Sequence, residues 1–186
     1  TIRDCLRLGR EDYTIRTALL EHRPLAGDPD LAKELFDRLR DELFHDTGRD
    51  FIEAKLTERS ERHVKQGGQR YMLEPNIKEG KGGLRDLHTL HWLSSYVYGC
   101  GLDGEDLPKG VFEDEEIKTF HRSEDFLWTV RCHMHFERGR ADERLSFDLQ
   151  PVIAEKLHYR EGDDLLPVER FMRHYFLVAK DVGELT

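Results

Sequence analysis

With 186 residues, 38% hydrophobic and 36% charged, the chain is long enough for one domain with a sizeable core and has a soluble, strongly helical kind of composition. A net charge of −9 argues against nucleic acid or an anionic membrane as a partner of the surface as a whole, so a phosphate site has to be a local basic patch. Cys5, Cys100 and Cys132 are odd in number and form no Cys-x-x-Cys pair, and the longest apolar runs, such as residues 175–179, are too short to span a bilayer. Free thiols in a reducing cytoplasm are therefore expected. A chain that starts at Thr1, without Met and without a basic-then-apolar leader, reads as a piece of a longer protein.

Residues 1–23 carry Leu6, Tyr13, Leu19 and Leu20 with few breakers and read as one or two short helices ending before Pro24. The next start signal is sharper. Asp28 caps, Pro29 suits the first helical position, and Leu31, Leu35, Leu39 and Leu43 recur every four residues, predicting a helix over 29–45. Two motifs here imitate metal sites. Asp28-Pro-Asp30 has the Asp-x-Asp pattern of polymerase-β-like nucleotidyltransferases, but that motif needs a strand and an upstream Gly-Ser loop, and the capping pattern makes this one a helix start. His45-Asp46 is similar to the metal motif of HD phosphohydrolases, yet only the ill-spaced His22 lies upstream to complete a shell, so a helix C-terminus is expected.

Residues 50–65 predict another helix, with Phe51, Ala54 and Leu56 inward. Its second half, TERSERHVK, is charged all round and reads as a solvated or interdomain face, stopped by Gly67-Gly68. Tyr71-Met-Leu then reads as a short extended segment, because Pro75 keeps Glu74 out of helical geometry.

The stretch that follows, EPNIKEGKGGLRD over 74–86, is a Gly-rich turn feeding into an apolar helix. Gly80, Gly82 and Gly83 allow positive φ and close approach to another surface, whether a ligand or a neighbouring domain. Lys78, Lys81 and Arg85 crowd the turn beside the first free N–H groups of the helix that begins near Leu84, the kind of donor set that binds an anion such as a triphosphate. Asp86 in the first helical turn complements the dipole or reaches a phosphate-bound metal. The spacing fits neither a P-loop nor a dinucleotide fingerprint, so pattern alone also accommodates a tight αL turn with solvated charges.

Beyond the turn, residues 84–98 predict a helix with Leu87, Leu90, Leu93 and Val97 inward, widened by Trp92 and Tyr96. Residues 99–110, GCGLDGEDLPKG, read as a long mobile loop, the position at which a disordered insert would be missing from this sequence. A long helix over 113–137 follows. It carries His121, Cys132, His133 and His135, read as structural because His133 and His135 point in different directions on a helix. GRADER, 139–144, is a charged turn in which Arg140 and Arg144 are expected to pair with Asp142, Glu143 or Asp148. A helix over 148–157 and a last one from Pro167 to about residue 183 complete the chain. The stripe of Val168, Phe171, Met172, Tyr175, Ala179 and Val182 should dock the last helix, while Arg170, Arg173, His174 and Lys180 stay available on its other flank. The sum is an all-α fold: a single helical domain over 1–186, a bundle of about six or seven helices with at most one short extended segment near residues 71–76.

Four stretches in register, TIRDCLRLGREDYTIRTALLEHRPLAGD, LEPNIKEGKGGLRDL, SEDFLWTVRCHMHF with GRADERLSFDLQ, and VERFMRHYFLVAKDVGELT, resemble the bifunctional uridylyltransferase/uridylyl-removing enzymes that modify the nitrogen regulatory protein PII. The resemblance implies a multidomain, cytoplasmic enzyme. A nucleotidyltransferase domain uses UTP and Mg2+, a helical region follows, then come an HD hydrolase domain and two glutamine-sensing ACT domains. This chain matches the helical region alone, so the resemblance implies no catalysis in isolation. It also implies that Lys78 and Arg85 face the triphosphate, that Gly82 and Gly83 bring backbone N–H groups near it, and that Asp86 orients Arg85 or a metal-bound water. Two alternatives remain open on sequence. One is the related glutamine-synthetase adenylyltransferase, whose similar loop usually continues with an acidic residue where this chain has His88. The other is a non-catalytic interaction module docking through residues 58–65.

Overall fold

The computed structural model describes residues 1–99, 107–162 and 164–186. The centre of the expected loop over 99–110, Cys100 included, lies outside the described residues. Cys5 and Cys132 are free thiols. Among the described residues there are eight α-helices, one π-helical turn and no strand, so the fold is all-α. Where six or seven helices are expected there are eight, because Asp12 divides the N-terminal segment. It ends α1 (Ile2–Glu11) in extended geometry, and its Oδ1 accepts from Thr14 N (2.6 Å) and Ile15 N (3.2 Å) to cap α2 (Tyr13–Leu20).

The chain clusters into two compact units, one of residues 1–58 and 91–108 and the other of residues 59–90 and 109–186. Two helices, α4 (Gly48–Lys65) and α5 (Leu84–Tyr98), contribute residues to both.

In the first unit, α3 (Pro29–Leu39) begins as the sequence predicts, with Asp28 Oδ1 accepting from Asp30 N at 2.9 Å. Its continuation widens into a π turn over Arg40–Phe44. Leu39 and Leu43 are buried there with Leu6, against Leu19, Leu35 and Phe44. A second cluster joins Phe51 of α4 to Trp92 and Tyr96 of α5, with the Phe51 and Tyr96 rings stacked at 3.9 Å. Val97 and Leu56, both expected inward, are exposed instead. Lys55 takes the inward place beside Phe51. It is 3% exposed, with Nζ 5.1 Å from the Trp92 ring centre and 2.8 Å from Glu58 Oε2. A lysine hidden under an aromatic ring looks, in a sequence, like any other surface charge.

In the second unit α6 (Asp114–Arg138), α7 (Leu149–Lys156) and α8 (Pro167–Leu185) pack on one another. Phe120, Leu127, Val130 and Met134 of α6, Ile153 of α7 and Phe171, Tyr175, Ala179 and Val182 of α8 are buried, as their helical spacing requires. Gly139, in αL geometry at φ 63°, ends α6. The expected extended segment is not a strand. Its only pairing among the described residues is an isolated bridge between Asn76 and Arg144, with Ile77 N donating to Glu143 O (2.8 Å) and Leu145 N to Pro75 O (2.9 Å). The chain after α6 thus anchors the segment leading into the Gly-rich turn.

Candidate functional site: the Gly-rich turn

The turn is built almost wholly from its own backbone. Asn76 Oδ1 accepts from Lys78 N (3.1 Å) and Glu79 N (2.7 Å), reversing the chain at once. Gly80 N then donates to Asn76 O and Gly83 N to Gly80 O, each at 2.9 Å. The first N–H groups of α5 are satisfied in the same way: Leu84 N by Ile77 O (3.0 Å), Arg85 N by Lys78 O (2.9 Å) and Asp86 N by Gly83 O (3.0 Å). The sequence reading expects these N–H groups to be free for an anion. They are consumed inside the turn, because a helix start buried under its own loop has to satisfy its donors locally.

The glycines are explained by packing. Gly82 has φ 82°, and a Cβ on it would overlap the carbonyl oxygen of Ala179 in α8, so the close approach is to the last helix. A Cβ on Gly83 would lie 2.6 Å from Ile77 O. Gly82 N, the remaining glycine donor of the pair, is held by Asp86 Oδ2 at 2.8 Å.

Asp86 is the centre of the arrangement. It is fully buried and also takes Arg62 Nη2 at 2.5 Å, Arg59 Nε at 3.4 Å, and His63 Nε2 at 2.9 and 3.0 Å from its two oxygens. Burial by itself raises its pKa, but the Gly82 N–H bond and the charges of His63 and Arg59 together hold it below the ordinary value of 3.8. The role foreseen for it, orienting Arg85 or a metal-bound water, gives way to a structural one, since both oxygens are occupied by groups of α4 and the turn. Arg59, Arg62 and His63 belong to the stretch expected to form a solvated or interdomain face. Their i, i+3, i+4 spacing places them on one side of α4, and that spacing was the signal available for grouping them.

Two of the turn cations, Lys78 and Arg85, lie around a second carboxylate. Glu79 Oε1 is 3.4 Å from Arg85 Nη2 and 3.7 Å from Lys78 Nζ, and its Oε2 is 3.8 Å from Arg62 Nε. Lys78, Arg85 and Glu79 all keep partial exposure, so this layer is accessible where Asp86 is not. Of the five candidate residues, the fold thus brings Lys78 and Arg85 together at an accessible edge and places Gly82, Gly83 and Asp86 in the supporting framework.

Other candidates resolve separately. His45 Nδ1 lies 3.0 Å from Asp46 Oδ2, both exposed beyond the π turn. Among the described residues no group of three or more His, Cys, Asp or Glu side chains is placed to hold a metal. Neither Arg144 nor Glu143 pairs within the 139–144 turn. Arg144 Nη2 reaches Glu74 Oε2 at 2.6 Å, and Glu143 receives Arg131 at 2.7 and 2.8 Å. His174, expected to stay available on the flank of α8, packs against Phe126 with ring centres 4.4 Å apart and planes tilted by 40°, and meets the Tyr159 hydroxyl. Among the described residues no helix is long and apolar enough to cross a membrane.

Comparison with known proteins adds a family. A family model described as GlnD PII-uridylyltransferase matches residues 50–186. The bifunctional uridylyltransferase/uridylyl-removing enzyme of Phenylobacterium zucineum (strain HLK1) is 56% identical over 190 aligned residues, which cover 100% of this chain and 20% of that enzyme. The chain therefore spans about one fifth of the length of this curated relative. No solved structure matches it.

Proposed function

Because the chain belongs to the PII-uridylyltransferase family, we propose that residues 1–186 form one helical domain of a longer enzyme and support UTP-dependent uridylylation of PII without catalysing it alone. In this reading a nucleotidyltransferase domain precedes the segment and an HD domain follows it, in a cytoplasmic enzyme that reports nitrogen status through PII. Magnesium belongs to the nucleotidyltransferase domain. The carboxylate read as a candidate for a metal contact here, Asp86, already has its oxygens filled by Gly82, Arg59, Arg62 and His63, and so does not fit a metal ion.

The observation that carries the proposal is the accessible edge formed by Lys78 and Arg85, set in place by the turn and lying beside the part-exposed Glu79. Nucleotidyl transfer asks a protein mainly to position the nucleotide and offset its charge. With Gly82 N and the first N–H groups of α5 committed, the two side chains would meet the triphosphate. In the full-length enzyme, Lys78→Ala should raise the KM for UTP by about tenfold or more, since a charge-assisted hydrogen bond is worth about 1.5–3 kcal/mol. Thermal stability should stay unchanged, because Lys78 sits at the surface of the turn. An unchanged KM with a lowered melting temperature would make the turn a structural junction instead.

A further inference from the structure

The same turn has a second face that the uridylylation proposal does not use. In the second unit an open cleft of about 340 Å3 is lined by Lys65, Arg70, Lys81 and Arg144 against a single carboxylate, Glu74. Four cations around one acid are out of keeping with a chain of net charge −9. Glu74 is moreover committed, accepting from Arg144 Nη2 at 2.6 Å and Phe147 N at 2.9 Å. Among the described residues, Lys65, Lys81 and Arg70 have no carboxylate partner.

One buried group on the cleft wall is also unsatisfied. Arg70 Nε is shielded from solvent and has no hydrogen-bond partner, and its guanidinium lies over Gly183, in space that any side chain at that position would fill. Tyr175 is 1% exposed and lines the cleft, and its hydroxyl makes no hydrogen bond among the described residues. A shielded guanidinium N–H without an acceptor is costly unless something outside the chain supplies one, and the Tyr175 hydroxyl at the cleft is a further donor without a partner among the described residues.

We infer that this cleft is a binding site for the phosphate group of a small molecule, held by the Arg70 guanidinium, the Lys65 and Lys81 ammonium groups and the Tyr175 hydroxyl. A phosphate offers several charged acceptor oxygens to such a donor set, and a guanidinium matches them in pairs. The volume suits a phosphorylated metabolite or a nucleotide's phosphate tail rather than a polymer. The inference stands whether or not Lys78 and Arg85 meet UTP.

The test is lysine footprinting of the full-length enzyme with an acylating reagent in EDTA, with inorganic pyrophosphate, UTP or uridine present and each lysine quantified by mass spectrometry. Pyrophosphate is expected to slow acylation of Lys65 and Lys81 several-fold, with the exposed Lys33 and Lys118 unchanged and uridine without effect. Equal protection by UTP assigns the site to any terminal phosphate, and protection by UTP alone assigns it to a nucleotide tail. Arg70→Gln should abolish the protection. Because Arg70 packs on α8, Lys81→Gln serves as the second variant and should remove protection at Lys65. Protection that survives both substitutions, protection by uridine, or none at Lys65 and Lys81 overturns the inference. Protection confined to Lys78 would do so too while favouring the uridylylation proposal, so the two fail separately.

Discussion

Replacing Asp86 with Asn tests the claim that one buried carboxylate holds the turn against α4. Asn keeps the shape and an acceptor for Gly82 N but cannot neutralise Arg59, Arg62 and His63, whose side chains are 19%, 10% and 14% exposed. Removing one partner of a buried ion pair costs about 3–5 kcal/mol. Arg62 keeps Glu79 within 3.8 Å and Arg59 keeps the Thr186 carbonyl at 2.7 Å, so the loss should fall at the lower end, about 3 kcal/mol. At 2–4 °C per kcal/mol for a chain of this size, the melting temperature should drop by about 6–12 °C. Hydrogen exchange supplies the local readout, because Gly82 N–H should exchange faster once its charged acceptor is gone.

The pH dependence gives an independent check. The folded pKa of Asp86 is depressed, so its stabilisation is fully present above the unfolded value near 3.8 and is lost as pH falls through the folded value. The Asn variant should therefore show a shallower loss of stability below about pH 4 than the parent. A variant that melts within about 2 °C of the parent, with the same acid limb and unchanged Gly82 exchange, would refute the assignment of Asp86 as the anchor.

Gly82→Ala should destabilise by at least about 2 kcal/mol, since a side chain at φ 82° is strained and its Cβ meets the backbone of Ala179, which cannot swing away; denaturant titration checks this. Lys55→Met should change stability by no more than about 1.5 kcal/mol in the same assay, because the stem stays packed under Trp92 and only a pair with the half-exposed Glu58 is lost. Glu79→Gln in the full-length enzyme should lower the KM for UTP several-fold if Lys78 and Arg85 meet the triphosphate, by removing the carboxylate that competes for them, and should leave it unchanged if they do not.

What could be read from the chain beforehand follows the range of each interaction. Asp28-Pro29 announces the start of α3, and the stripe from Val168 to Val182 announces the docked face of α8, because caps and helical periodicity lie within a few residues. The division at Asp12 and the π turn at Arg40–Phe44 are local too, but no periodic signal marks them. The site was legible only in part. Cations gathered at the turn are plain in the sequence, whereas their counter-charges are not. Asp86 finds partners 23 to 27 residues upstream and Arg144 finds Glu74 at a separation of 70, distances at which residue spacing carries no information about contact. Expecting the charges of α4 to face solvent or another domain, and Arg140 and Arg144 to pair with Asp142, Glu143 or Asp148, followed from the same missing knowledge.

The two acids of the turn divide its cations into a fixed set and an exchangeable one, and exposure decides which is which. An incoming anion cannot displace Asp86, which sits at 0% exposure with a backbone N–H bond in addition to its charges; expelling it would leave a buried carboxylate with nothing to replace its partners. Glu79 keeps 29% side-chain exposure and holds its cations at 3.4 Å or more, so water compensates it when a phosphate takes its place. Rigidity and recognition thus come from different carboxylates seven residues apart. A turn that commits the first N–H groups of its helix internally can therefore still present a basic edge outward, provided that the acid guarding the edge is the weaker competitor.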